Sequence, residues 1–143
     1  MSFPRPDEEK LTYSIIGGFF DVYNGMGYGL LEHLYVMALE GELRDPGHEV
    51  AREVAVPIRF KGRMLGFQRF DMVVDGKVIV EAKSTALLPK IATRQLYNYL
   101  KVSPFETGLL LHFGPKPDFH RVILRNYDKQ NLRQFVAPKE PCR

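Results

Sequence analysis

The stretch DMVVDGKVIVEAK, residues 71–83, joins two apolar runs through a turn and ends each run in charge. Val78-Ile79-Val80 is apolar enough for a buried central strand, yet it runs directly into Glu81 and Lys83. Asp71 likewise opens the run Met72-Val73-Val74. Removing an unpaired carboxylate or ammonium from water is expensive, so charges at the ends of buried strands call for partners. A divalent cation would compensate the two carboxylates, and a phosphate would compensate the lysine. The combination points to a metal-dependent phosphodiesterase, with a nuclease as the leading reading.

Register decides whether such a site can form. Side chains alternate along a strand, so Glu81 and Lys83 share one face and Ala82 takes the other. Asp75-Gly76 marks the hairpin turn. A two-residue loop pairs Asp71 with Val80 and sends Asp71 and Glu81 to opposite faces. A three-residue loop, Val74-Asp75-Gly76 with Gly76 left-handed, pairs Asp71 with Ile79 and gathers Asp71, Glu81 and Lys83 on one face. The site therefore requires an odd loop or a bulge, and Gly76 suits one because it takes positive φ without a Cβ penalty.

At 143 residues with 45% hydrophobic and 26% charged content, the chain is expected to form one soluble domain with a real core. No apolar run approaches the roughly 20 residues that span a bilayer, and MSFPRPDEEK has no apolar signal core. A single cysteine, Cys142, excludes an intramolecular disulfide and a zinc site built on several cysteines. A cytoplasmic location without membrane association is the expectation. Net charge is +3, which weakly favours a polyanionic partner. Arg59, Lys61, Arg63 and Arg69 cluster before the candidate site, and Lys90, Arg94 and Lys101 follow it.

Helical spacing of Ile15, Ile16, Phe19, Phe20 and Tyr23 predicts a helix beginning at Asp7 or Thr12 and broken by the glycines at 25, 27 and 29. A second helix is expected over about 30–44, burying Leu31, Leu34, Tyr35, Ala38, Leu39 and Leu43. Strands follow over 50–60, 65–74 and 77–84, then a helix over 91–101 and strands over 109–113 and 119–124. The core is placed at about 11–125, with a frayed tail over about 126–143. This α-α-β-β-β-α-β-β order implies an α/β fold with a mixed central sheet flanked by helices, because a helical crossover joins parallel strands.

Five segments in order resemble one family. Gly29-Leu30-Leu31-Glu32-His33-Leu34-Tyr35 matches the signature of the GxxExxY proteins, and residues 15–24 are similar to that family's first helix. Arg69-Phe70-Asp71 with Ile79-Val80-Glu81-Ala82-Lys83 resembles its Asp…Glu-x-Lys core. Residues 94–100 resemble its glutamine-bearing helix, and residues 108–114 its following strand. The resemblance places the chain with the PD-(D/E)XK nucleases and implies a restriction-endonuclease-like fold. It implies metal-ligand roles for Asp71 and Glu81, a catalytic role for Lys83, and site positions for Glu32 and Gln95. Phe70 stands where the superfamily name has proline, and Ala82 where leucine is commoner.

Each residue has a chemical task in that reading. Asp71 and Glu81 hold Mg²⁺ or Mn²⁺, with the Ala82 carbonyl a further candidate ligand; such a cation acidifies water and neutralises phosphoryl charge. Lys83 orients the water or stabilises the transition state; the bland reading of Glu81 and Lys83 is a same-face ion pair. Glu32 lies in the first helical turn, where capping alone accounts for a carboxylate at about 0.3–1 kcal/mol; the resemblance implies metal or water binding instead. Tyr35, one turn on, either hydrogen-bonds Glu32 or packs in the core. Gln95 either reaches the site or is a surface residue. Arg69, Arg94 and Lys101 are candidate nucleic-acid contacts, and Tyr97 and Tyr99 are either core or base-stacking. His33, His48, His112 and His120 show no metal spacing, and no Ser-His-Asp arrangement is evident in the sequence. The glycines at 25, 27 and 29 follow a helix rather than a strand, which argues against a phosphate-binding loop. The expected partner is nucleic acid, DNA before RNA, with specificity supplied by a homodimer or a partner protein. The competing class is a non-catalytic nucleic-acid- or protein-binding module that keeps the fold.

Overall fold

A computed structural model describes residues 4–129. Helices α1 (Pro6–Met26) and α2 (Glu32–Arg44) precede strands β1 (Val50–Phe60), β2 (Arg63–Val74) and β3 (Val78–Lys83). Helix α3 (Lys90–Lys101), strands β4 (Thr107–Phe113) and β5 (Pro117–Ile123), and a 3-10 turn (Asn126–Asp128) complete the described chain. The sheet order is β1-β2-β3-β4-β5. β3 and β4 are parallel and the other neighbouring pairs antiparallel. The mixed sheet expected from the element order is therefore present, with α3 as the crossover between the parallel strands.

Helices cover both faces. Ile15, Phe19, Tyr35 and Leu39 pack with Met72, Val80, Leu109 and Leu111 on one side. Ala92, Leu96 and Leu100 of α3 pack with Val73, Ile79 and Leu110 on the other. Gly108 allows the close approach of α3, since a Cβ there would lie 2.8 Å from Leu96 Cδ1. The phase of α2 differs from expectation: Tyr35, Val36, Leu39 and Leu43 are buried, whereas Leu31 and Leu34 are exposed. Leu31 precedes the first helical turn as its N-cap, so it does not share the helix's buried stripe.

The β2–β3 hairpin has an odd loop, though not the expected one. Pairs run Met72↔Val80, Val73↔Ile79 and Val74↔Val78, leaving residues 75–77 between the strands. Asp75 and Gly76 take φ of 52° and 65°, and the Lys77 N–H donates to Val74 O at 3.0 Å. The loop thus sits one residue further along than Val74-Asp75-Gly76. Its parity is the one that the site requires, and the same register continued would set Asp71 opposite Glu81.

The chain just beyond β5 is anchored, and this includes residues 126–129 of the tail expected to be frayed. Arg125 is buried and donates twice to Glu8 near the start of α1, at 2.8 Å from both Nη1 and Nη2. Lys129 Nζ donates to the carbonyls of Ser103 and Phe105 at 2.8 and 2.7 Å. Cys142 and the remainder of the expected tail lie outside the described residues. The Arg125 hydrogen bond, against opposing burial, holds the Glu8 carboxyl below its ordinary range. Removing one partner of such a pair strands a buried charge at a cost of about 3–5 kcal/mol. Arg125→Ala is therefore expected to lose about that much in urea unfolding at neutral pH, and a loss below about 1 kcal/mol would contradict the anchoring role.

Candidate active site

The site lies where β2 parts from β3. Pairing between these strands stops at Met72↔Val80, while β3 stays paired to β4 as far as Lys83↔His112. The Ala82 N–H, beyond the last β2–β3 pair, donates to Asp71 Oδ2 at 2.8 Å. A side chain here takes the place of a ladder acceptor. Across on β1, Glu53 has a φ of 50° and falls between the pairs Arg52↔Met72 and Val54↔Phe70. Phe70 packs with the α3 layer and lies 5.5 Å from the Tyr99 ring, whereas Met72 packs with the α1 and α2 layer. Regular alternation would place both on one face, so β2 twists at Asp71.

Glu81 is opposite this twist. Burial first, then the charge and hydrogen bonding of Asp71, push its carboxyl up to about 8, against opposing pulls from Lys83 and the Asp71 main-chain N–H. A hydrogen bond between two carboxyl groups requires a proton on one of them. Glu32 joins from the start of α2. Its pKa is raised by burial and then by Asp71, and lowered by Lys83 and a hydrogen bond from the Ser84 main chain. From the other face of the sheet, Gln95 of α3 lines a cleft with Glu81, Lys83, Gln68 and Arg69.

Of the residues singled out in the sequence, Glu81, Lys83, Gln95 and Arg69 line one cleft, while Asp71 adjoins Glu81 and Glu32 lies within electrostatic reach of Asp71 and Lys83. Arg94 and Lys101 are exposed and do not line the cleft. Arg94 lies 5.5 Å from the Tyr97 ring, and Tyr99 belongs to the α3 layer. Tyr35 packs in the core, stacked 4.2 Å from Phe113. Its hydroxyl donates to Gly27 O at 2.5 Å and accepts from Leu30 N–H at 3.1 Å. It fastens the glycine turn that delivers Glu32. Gln68 was not singled out; its neighbour Arg69 was the signal, since both belong to the strand that borders the cleft. His112 is buried and within 2.7 Å of Thr85 O, which holds the segment following Lys83. Among the described residues, no three His, Cys, Asp or Glu side chains converge as a ready-made metal cage.

The structure also contains an arrangement that the sequence did not disclose. Ser14 Oγ lies 2.8 Å from His48 Nε2, and His48 Nδ1 lies 2.9 Å from Asp75 Oδ2. The atoms connect as in a nucleophilic triad, but Ser14 sits inside α1, where its N–H belongs to the helix. Acyl transfer needs donors at the developing oxyanion, and a mid-helix N–H supplies none. Asp75 also accepts from the Glu49 N–H at 2.8 Å. The set is a clasp that ties the β2–β3 turn to α1.

The Glu81 shift has a definite sign. Its folded pKa is above its unfolded one, so the metal-free protein has the full contribution below pH 4.5 and loses it as pH rises through about 8. In chelator, Glu81→Gln is expected to melt with wild type below pH 4.5 and well above it beyond pH 8. The difference should approach roughly 5 kcal/mol, read from unfolding across that range. Parallel profiles would contradict the burial of Glu81 beside Asp71.

No helix of the described residues is long and apolar enough to cross a membrane. A family model of the PD-(D/E)XK nuclease superfamily matches residues 9–122. Among solved structures, the crystal structure of SSO0001 is similar with a TM-score of 0.51 and 21% identity. The match covers 71% of this chain and 55% of that one, so the chain spans about half the length of that relative. At this identity the likeness shows the fold, which is restriction-endonuclease-like. No curated protein matches. The match across most of the sequence settles the family: this chain belongs to the PD-(D/E)XK nuclease superfamily.

Proposed function

We propose that the chain is a divalent-metal-dependent nuclease whose site is formed by Asp71, Glu81 and Lys83, supported by Glu32 and Gln95, within a single domain. The observation that carries this reading is the Asp71–Glu81 carboxyl pair where β2 leaves β3, with Glu81 and Lys83 lining a cleft bordered by Arg69. The donors suit a hard dication, since all are oxygens. Positive charge at the pair would also relieve the need for a shared proton. Asp71, Glu81 and the Ala82 carbonyl would hold Mg²⁺ or Mn²⁺, with Glu32 as a direct or water-mediated neighbour. Bound there, the cation supplies an acidified water and charge neutralisation.

The chain's own groups supply the rest. The Ala82 N–H fixes one Asp71 oxygen, which keeps the carboxylate from turning away. Lys83, on the same face as Glu81, orients the attacking water and counters charge on the phosphoryl oxygens. Gln95 offers an amide to water or phosphate, and Arg69 meets the phosphate backbone at the rim. Nucleic acid is the proposed partner, with DNA before RNA.

Two measurements test this. Mn²⁺ added at pH 7 is expected to raise the melting temperature of wild type and leave Asp71→Ala unmoved, because a ligand stabilises only the state that binds it. Equal shifts would place the metal elsewhere. In the second, wild type, Glu81→Ala and Lys83→Ala are incubated with single-stranded DNA, duplex DNA, branched DNA and RNA. Metal-dependent cleavage is expected, with each variant slower by about 10²–10⁴-fold. Equal cleavage by all three proteins would overturn the assignment, and binding without cleavage by any would favour a non-catalytic module.

A further inference from the structure

Beyond the point where β3 leaves it, the β1–β2 hairpin continues as a two-stranded arm. β1 is the sheet edge and β2 pairs with β3 only over 72–74, so both edges of residues 54–69 are unpaired within the sheet. The base of this arm is packed: Val56 and Phe70 are buried against the α3 layer. Its outer part is unlike an ordinary solvated ribbon. Phe60, Met64, Leu65 and Phe67 are 49%, 46%, 66% and 67% exposed. Among them stand Arg59, Lys61, Arg63 and Arg69, and residues 54–69 contain no acidic side chain. Lys61 Nζ lies 5.3 Å from the Phe60 ring, so cation and ring form one surface.

We propose that this arm binds a single-stranded polynucleotide and delivers it to the cleft. Charge selects among occupants. A second copy of the arm would bring four cations against four, whereas a phosphate backbone neutralises them. The exposed rings then select the kind of polyanion. Stacked duplex bases present only their edges, whereas unpaired bases offer faces on which aromatic side chains stack. Continuity with the site gives the direction, because Gln68 and Arg69 belong both to β2 of the arm and to the cleft lining beside Glu81 and Lys83. Delivery to a scissile bond rests on the nuclease reading of the cleft, whereas the grip itself does not.

Binding in chelator separates the two. Fluorescence anisotropy would compare labelled 20-nucleotide oligo-dT, oligo-U and a 20-base-pair duplex. The proteins are full-length wild type, Phe60→Ala/Phe67→Ala, and Arg59→Gln/Lys61→Gln/Arg63→Gln. Wild type should favour the single strands over the duplex. The aromatic double variant should bind them roughly 10²-fold more weakly with an unchanged salt slope, as expected for losing two stacked bases. The charge variant should lower the slope of log affinity against log salt by about 2, from three phosphate contacts at about 0.7 each. Unchanged melting temperatures would establish that both variants fold. Preference for duplex with no effect of the phenylalanines would overturn the proposal. So would no binding by wild type, or a wild-type dimer that the aromatic variant converts to monomer. Single-strand binding lost in the arm variants, with wild type inert in Mn²⁺, would keep the arm and sink the nuclease reading. Cleavage and binding indifferent to both arm variants would do the reverse.

Discussion

One main-chain donor governs the arrangement of this molecule. Past Met72↔Val80 the ladder between β2 and β3 ends, yet the Ala82 N–H still needs an acceptor because the residue is buried. Asp71 Oδ2 meets it at 2.8 Å. That bond fixes a carboxylate beside Glu81, whose ionisation is then opposed by burial and by its neighbour. β2 can leave only because β1 yields with it. Glu53, across from Asp71, takes a left-handed φ of 50° that costs a residue with a Cβ about 1–2 kcal/mol. Arg69 donates to the Glu53 carbonyl at 3.2 Å, and Phe70 gains a buried position against Tyr99. Both contacts offset the local cost.

A second constraint brings Glu32 to the same place. Gly27 and Gly29 have φ of 73° and 108°, conformations that side chains disfavour, and they allow the chain to reverse between α1 and α2. Tyr35 fastens that reversal by bonding to Gly27 and Leu30 while its ring stacks on Phe113 of β4. The spacing of Gly29, Glu32 and Tyr35 therefore has a mechanical meaning. The glycine permits the turn, the tyrosine latches it to the sheet, and the glutamate between them is presented to Asp71 and Lys83.

The legible parts of the fold were those written in local pattern. The mixed sheet and the α3 crossover followed from element order, and the shared face of Glu81 and Lys83 from the two-residue period of a strand. The side taken by Asp71 hung instead on the parity of the loop. The loop itself was misplaced by one residue because Asp75 and Gly76 both take positive φ, which moves the extra residue to Lys77. The outward turn of Leu31 and Leu34 was hidden because apolar spacing alone does not locate the first helical turn. Partners far apart in sequence were also hidden. Arg125 reads as one more charge after β5 until Glu8 is seen beside it. His48 joins Ser14 and Asp75 only once α1, the entry to β1 and the β2–β3 turn have met.

The departure of β2 from β3 has two products. It sets the Asp71–Glu81 carboxyl pair where the ladder ends, and it frees residues 54–69 as an arm with open edges. A two-stranded ribbon alone is marginally stable in water, so its outer half depends on the anchored base at Val56 and Phe70. That base adjoins the twist at Asp71, and Arg69 bonds to the strained Glu53. Arm and cleft are thus joined through Arg69, Phe70 and Asp71, three consecutive residues of one strand. The proposed grip on substrate and the orientation of the proposed ligand Asp71 would then share a single backbone distortion, set by where the β2–β3 ladder stops.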